Sequence, residues 1–339
     1  MLEERKAGLK RASELLESSK KILITSHKGP DGDAIGSALG LYHILRNAGH
    51  KCIVVLPDSW PSFYSWMPSQ KDIMVFDKEE EKILKEMLDV DLTFYLDYNS
   101  LSRVGSDFQT VLLEHPAPAI MIDHHQSPDD IAEVMYSFPE ASSTSELVFD
   151  FAEGLDMKKR VDLSAAKCLY SGIITDTGSF RFSSTSQRTH EVAGFLLGRG
   201  VVPSEIHEFI FDSNHENRLK LLGYALYEKL RVFGKHGAAF IALSQTELRK
   251  FQYKKGDTEG LVNYPLSIDR VSFSTLITER ENEVRLSFRS QGDFDVNEFA
   301  REHFNGGGHK NAAGGISKDD LRTTVDRLVQ LIRTLEPKA

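Results

Sequence analysis

Short apolar runs alternate with helical patterns over the first part of the chain. KILIT (21–25), CIVVL (52–56), DIMVF (72–76), LTFYL (92–96) and AIMI (119–122) have the length of strands and are apolar almost throughout. Runs without polar alternation are what parallel strands need when helices cover both faces of their sheet. Between the first two runs Ile35, Ala38, Leu39, Tyr42 and Leu45 recur at helical spacing and Gly49 supplies a stop, which predicts a βαβ unit. The segment before KILIT reads as an amphipathic helix. From Ser142 to about Gly200 the pattern is mainly helical, and Pro203 opens a further helical stretch towards Leu230. Then the character changes. VSFSTLIT (271–278) and EVRLSFRS (283–290) flank the polar turn ERENE as a β-hairpin would. In the second of these runs Val284, Leu286 and Phe288 alternate with Arg285, Ser287 and Arg289, so one face is apolar and the other carries two guanidiniums. A helix over 296–304, the loop NGGGHKNAAGG and a last helix over 318–335 complete a compact α+β domain.

The length of 339 residues exceeds the usual span of one core, which agrees with two domains. The expected class is α/β, with an N-terminal doubly wound, mostly parallel sheet over 1–200. A helical connector over 201–230 then leads to a smaller α+β domain over 231–339. The net charge of −9 is uneven: residues 1–229 carry 24 Lys and Arg against 35 Asp and Glu, while 230–339 carry 17 against 15. So acidic a chain argues against unspecific duplex binding, which relies on many cationic contacts to phosphates. Cys52 and Cys168 each lie inside an apolar segment, so two buried free thiols are expected rather than a disulfide or a thiolate metal site. The N-terminus lacks the apolar core of a signal peptide, and no apolar run approaches the roughly 20 residues of a membrane span, so a reducing cytoplasm and no membrane contact are expected.

Candidate chemistry gathers at the ends of the apolar runs. His27, Asp31 and Asp33 follow KILIT; Asp97 follows LTFYL; Asp123, His124 and His125 follow AIMI. In open α/β sheets ligands bind beyond the carboxyl ends of the strands, so this is where a site belongs. Taken alone, the first group is equally a metal cluster or a loop in which Asp33 caps the helix beginning at Ala34. Asp176, in SGIITDTGSFRF, taken in isolation reads first as an Asx-turn or cap. Repetition at three strand ends favours the metal reading. Five carboxylates and three imidazoles, with no thiolate, suit hard or borderline divalent ions and exceed what one ion needs. Two ions some 3.5–4 Å apart would activate a water for attack on a phosphoryl group. In the other domain Gly306, Gly307, Gly308 and His309 form a run whose backbone N–H groups suit an anion, joined by Arg285 and Arg289.

SHKGPDGDAIGS, the Asp after LTFYL, the DHH triplet and ITDTGSFRF resemble the four motifs of the DHH phosphoesterase superfamily, and GGGHKNAAGG resembles the signature of its DHHA1 partner domain. The order and extent are most similar to the short-oligonucleotide exonucleases, or nanoRNases, that also dephosphorylate adenosine 3′,5′-bisphosphate. This resemblance implies two Mn²⁺ ions, with Mg²⁺ or Co²⁺ as substitutes. His27 and Asp31 would ligate one ion, Asp33, His124 and Asp176 the other, and Asp97 would bridge them. It also implies that His125 faces the substrate phosphate and that Asp123 orients the histidines. Arg289 and His309 would hold the nucleotide, with Gly306 to Gly308 near its terminal phosphate. The implied substrates are short single-stranded oligonucleotides and nucleotides, and a homodimer is compatible with them. Tyr98 departs from the smaller residue that many relatives carry after the Asp. Within the class, a cyclic dinucleotide phosphodiesterase and an inorganic pyrophosphatase or exopolyphosphatase are the alternatives. Outside it, a nucleotide-binding regulatory module would be expected to have lost a ligand, and every motif position is filled.

Overall fold

The structure is a computed structural model that describes residues 2–17 and 20–335. Two compact units divide it, 1–213 and 214–339. In the first unit, helix α1 (Leu2–Leu16) precedes β1 (Lys21–Thr25), α2 (Gly32–Asn47), β2 (Lys51–Leu56), β3 (Ile73–Val75), α3 (Phe76–Met87) and β4 (Leu92–Leu96). Then come α4 (Ser106–Glu114), β5 (Ala119–Asp123), β6 (Val134–Ser137), α5 (Thr144–Gly154), α6 (Leu163–Asp176), α7 (Gln187–Gly198) and α8 (Pro203–His207). All six strands are parallel, in the order β3-β2-β1-β4-β5-β6. The apolar runs serve two cores. Ile22, Ile24, Val54, Phe94 and Ile122 pack on the α2, α5 and α6 side, whereas Leu23, Val55, Tyr95 and Met121 pack with Phe76 and Ile83 of α3 and Phe108 and Leu112 of α4. Burial on both faces is why these strands show no polar alternation.

Strand order reverses direction between β1 and β4, so the crevice beyond their carboxyl ends is the switch point of the sheet, where a ligand can enter between diverging helices. Two helices beside it approach unusually closely. A Cβ on Gly32, Gly36 or Gly40 of α2 would lie 2.4 Å from Thr175 Oγ1, 2.6 Å from Cys168 O and 2.4 Å from Leu169 Cδ2 of α6 respectively. The pairing runs antiparallel, so the start of α2 meets the end of α6 and brings Asp33 towards Asp176.

Several local expectations are corrected. Only Ile73–Val75 of DIMVF is strand, because Phe76 already begins α3. The strand β6 shows too short a pattern to be read from sequence. The stretch after Pro203 is not one helix: α8 passes through a wide π-type turn, Glu208–Asp212, and stops. Ser213, Asn214 and His215 favour caps over helix interiors, and His215 accepts the Arg218 N–H to start α9 (Glu216–Tyr224). Cys168 is buried but Cys52 only half-buried, and burial pushes the Cys52 thiol up to about 12. Among the described residues no helix is long and apolar enough to cross a membrane.

The second unit continues with β7 (Leu230–Phe233), β8 (Ala238–Leu243), α10 (Gln245–Lys250), β9 (Phe273–Glu279) and β10 (Val284–Ser290). It ends with α11 (Val296–His303), β11 (Gly307–His309), β12 (Ala312–Ser317) and α12 (Leu321–Thr334). Its mixed sheet has the order β11-β12-β10-β9-β8-β7, with β8 and β9 parallel and the other pairs antiparallel. The α+β expectation holds here, and Val284, Leu286 and Phe288 pack on Val296, Phe299, Phe304, Leu328 and Ile332. Two readings change. The glycine-rich segment is a hairpin of β11 and β12 rather than a loop. The last helix starts at Leu321, where the Asp320 carboxylate accepts the Thr323 N–H.

Candidate metal centre

Parallel strands deliver their successors to one edge, and the strand-end residues meet there. After β1 comes His27, after β4 Asp97, and at the end of β5 Asp123, His124 and His125. Asp31 and Asp33 sit at the start of α2, and Asp176 is the last residue of α6. His27, Asp31 and Asp97 form one group of converging ligand atoms, and Asp33, His124 and Asp176 another. Asp97 faces both: its Oδ2 lies 3.4 Å from His27 Nε2 and its Oδ1 lies 3.6 Å from His124 Nε2. Asp176 Oδ2 is 3.2 Å from His124 Nε2, and Asp33 Oδ2 is 3.9 Å from the same nitrogen.

Asp31 and Asp33 are held by backbone amides, and Asp97 by a hydroxyl. The cap of α2 is Asp31, not Asp33: its Oδ1 accepts the N–H groups of Asp33 and Ala34 at 3.0 and 3.1 Å. Asp33 lies one position inside the helix, 1% exposed. Its oxygens accept the Thr144 N–H at 2.6 Å and the Ser145 N–H at 2.9 Å, the first free donors of α5. Thr144 Oγ1 donates to Asp97 Oδ1 at 3.0 Å. Asp97 has φ +63°, a left-handed conformation that Asp tolerates better than most residues and that turns its carboxylate into the crevice. The departure at Tyr98 is accommodated below the site, where its hydroxyl meets Thr25 Oγ1 at 2.7 Å in the core.

The donor set fits divalent cations. His27 Nδ1 lies 3.0 Å from Lys28 O and His124 Nδ1 lies 3.3 Å from Ala141 O, which assigns the proton to Nδ1 and leaves each Nε2 as an acceptor facing carboxylate oxygens. Acceptors facing acceptors in a buried crevice need positive charge between them. The electrostatics agree. Burial, then Asp33 and Asp31, pushes Asp97 well above the usual carboxylate range. Burial lowers His124, but Asp176, Asp97 and Asp33 outweigh it and raise the group to about 9. Asp123, wholly buried and pushed up to about 6 by that burial, accepts from His125 Nδ1 at 2.7 Å and from its backbone N–H at 3.0 Å. Burial and the charge of His124 hold His125 well below its ordinary value.

In the second unit the pairing register puts Arg289 opposite Ala312, and Ala312 opposite His309, so both side chains belong to one row on one sheet face. Arg285 stands four residues along β10, about 13 Å away. There its Nε donates to Glu283 at 2.7 Å, and it lines a cavity of about 980 Å³ with Arg249, Tyr253 and Arg280. The structure thus pairs His309 with Arg289 and not with Arg285. The glycine run also differs from expectation. Gly306 N–H donates to Ala300 O at 3.1 Å and Gly308 N–H to Asn297 Oδ1 at 2.9 Å, so neither amide is directed to an anion. What these two glycines satisfy is close packing: a Cβ would lie 1.9 Å from Gly314 O and 2.4 Å from Ala312 O respectively. At Gly307 a Cβ would meet only side-chain atoms at 3.6 Å or more.

Thr144 was not singled out in the sequence. Its signal there is Ser143-x-x-Glu146, a helix start in which Ser143 Oγ accepts the Glu146 N–H at 3.0 Å. That pattern locates the helix but not what its first amides hold.

Residues 21–173 match the model of the DHH family N-terminal domain, and residues 237–336 that of the DHHA1 domain. A probable bifunctional oligoribonuclease and PAP phosphatase NrnA of Streptococcus mutans is 32% identical over 87% of this chain and 89% of its own. The cyclic-di-AMP phosphodiesterase GdpP of Geobacillus thermodenitrificans is 29% identical over 90% of this chain but 46% of its own length. A crystal structure of an exopolyphosphatase-related protein from Bacteroides fragilis matches with a TM-score of 0.91 at 38% identity, covering 96% of both chains. The two family models fall on the strand-end cluster and on the glycine hairpin in turn, and the chain belongs to the DHH family of metal-dependent phosphoesterases, with a DHHA1 domain following.

Proposed function

We propose that this enzyme releases 5′ mononucleotides from short single-stranded oligonucleotides and dephosphorylates adenosine 3′,5′-bisphosphate, with two Mn²⁺ ions. The observation that carries the reading is Asp97, whose two oxygens face His27 on one side and His124 on the other. His27 and Asp31 would hold one ion, Asp33, His124 and Asp176 the second, with Asp97 shared. Bound there, such a pair supplies an activated water and neutralises charge developing at phosphorus.

The chain's own groups do the rest. Thr144 and Ser145 fix the Asp33 carboxylate, and the Thr144 hydroxyl sets the rotation of Asp97. Asp123 holds the Nδ1–H of His125, which leaves Nε2 for proton exchange with the substrate phosphate or the oxygen that leaves it. Arg289 and His309 supply the donors for the nucleotide, as a guanidinium fork and an imidazole suit an anion. The relative matched over nearly its full length is named an oligoribonuclease and PAP phosphatase, which supports this substrate class over a cyclic dinucleotide. The two thiols, one buried and one half-buried, suit a reducing cytoplasm. The test is a panel with Mn²⁺, Mg²⁺ and Co²⁺ on dinucleotides, adenosine 3′,5′-bisphosphate, cyclic di-AMP and pyrophosphate. Turnover of the first two is expected, and inertness towards both would end the proposal.

A further inference from the structure

Arg103 belongs to none of the motifs, yet its segment is fastened to the metal centre on two sides. The short 3₁₀ turn Leu101–Val104 follows Asp97 after three intervening residues, and within it Arg103 N–H donates to Ser100 O at 3.0 Å. Arg103 O accepts the amide of Lys28, the neighbour of His27, at 2.8 Å. On the other side Asn99 Nδ2 donates to Gln126 O at 2.7 Å, and Asn99 O accepts the Asp129 N–H at 2.8 Å, which ties the same segment to the loop after His125.

The side chain is half-buried, and among the described residues its guanidinium has no hydrogen-bond or ion-pair partner. Arg188, equally half-buried, differs: it holds Asp150 and Glu153. A structural arginine in an acidic protein is expected to find a carboxylate, since withdrawing five N–H donors from water without an acceptor is unfavourable. The ties of its segment hold the base of the Arg103 side chain between the loop that carries His27 and the loop that follows His125. The cation therefore bears on the edge of the centre where the phosphate is expected.

We propose that Arg103 binds the phosphoryl group under attack, its guanidinium fork taking two non-bridging oxygens. This rests on the phosphoesterase reading above and adds a cationic substrate ligand from the first unit itself. A planar, permanently charged fork suits those oxygens, and a donor fixed before reaction stabilises the charge that grows on them.

The experiment compares Arg103→Gln and Arg103→Lys with the wild type, all loaded with Mn²⁺ and checked by thermal melting. Three quantities are measured: kcat/KM on a dinucleotide and on adenosine bisphosphate, inhibition by inorganic phosphate, and Mn²⁺ binding without substrate. Arg103→Gln is expected to lose roughly 10²–10³-fold in kcat/KM on both substrates. It should also weaken phosphate inhibition about tenfold and leave Mn²⁺ affinity within about twofold. Arg103→Lys, with charge but no fork, should fall between. Unchanged kcat/KM and phosphate inhibition in Arg103→Gln would overturn the proposal, as would a loss of Mn²⁺ affinity matching the loss of turnover. Should the wild type hydrolyse neither substrate, the substrate reading fails by itself, and binding of inorganic phosphate to the wild type and Arg103→Gln still decides the role of Arg103.

Discussion

The two units organise their polar residues in opposite ways. In the first, Asp33 and Asp97 are buried at the crevice of a parallel sheet, Asp33 clamped by two helix amides and Asp97 by the Thr144 hydroxyl, so that they have almost no freedom left. In the second, Arg289 and His309 stand in one row of a sheet face and are each half-buried, with Arg289 Nη1 donating to Phe288 O at 3.0 Å. A buried cluster of like charges must be fixed before it can act, because every misplaced oxygen adds repulsion in a poorly screened place. A half-buried row can tolerate more motion, since water still screens part of it. Changes in the first unit should therefore act on turnover, and changes on the second unit's sheet face on substrate affinity.

The largest effect is expected at Asp97. Asparagine keeps the left-handed backbone and the bond from Thr144 but loses the charge, so Asp97→Asn should cut kcat by about 10³-fold or more, equivalent to several kcal/mol of barrier. Steady-state kinetics with unchanged melting would establish it; near-normal kcat would remove the bridging role. Next comes the clamp. Thr144→Val keeps shape but not the hydroxyl, and losing a group that orients ligands typically costs 10–100-fold in metal affinity or activity. Thr144→Ser should recover most of the loss, and equal behaviour of the two variants would make Thr144 a packing residue only.

The glycine hairpin sharpens the contrast through stability. Gly306→Ala drives a methyl into Gly314 O and should destabilise the second unit by roughly 1–3 kcal/mol, whereas Gly307→Ala should melt like wild type. Equal melting of both would show that the hairpin relaxes freely. At Arg289 the effect should move to affinity: Arg289→Ala is expected to raise KM about tenfold with kcat within a factor of two, in line with losing a charge-assisted hydrogen bond. A kcat defect instead would erase the division between the units. The smallest change is reserved for Arg285. Paired with Glu283 and 61% exposed, it should tolerate Arg285→Ala with KM altered less than about twofold.

How much of this was legible depended on how strongly one physical requirement acted on each segment. Parallel strands covered on both faces must be apolar throughout, so β1, β2, β4 and β5 stood out and delivered His27, Asp97, His124 and His125 to their places. Asp31 and Asp33 were harder, because two carboxylates two residues apart satisfy the same cap pattern and only the backbone decides that Asp31 takes it. The strands β11 and β12 were invisible since Gly307, Gly308, Gly314 and Gly315 offer no side-chain alternation to read. Arg103 carried no signal at all. One arginine in a polar turn looks like any other until its neighbours are known.

The α2–α6 contact has a consequence for how the protein comes to life. The residues of the centre span positions 27 to 176, and Asp33 faces Asp176 only once Gly32, Gly36 and Gly40 have seated against the sixth helix. A nascent chain can pair β1 with β2 early, but it cannot complete the ion-binding crevice until α6 has emerged and docked. The group of Asp33, His124 and Asp176 is thus the last part of the centre to form, completed only when the end of α6 has docked.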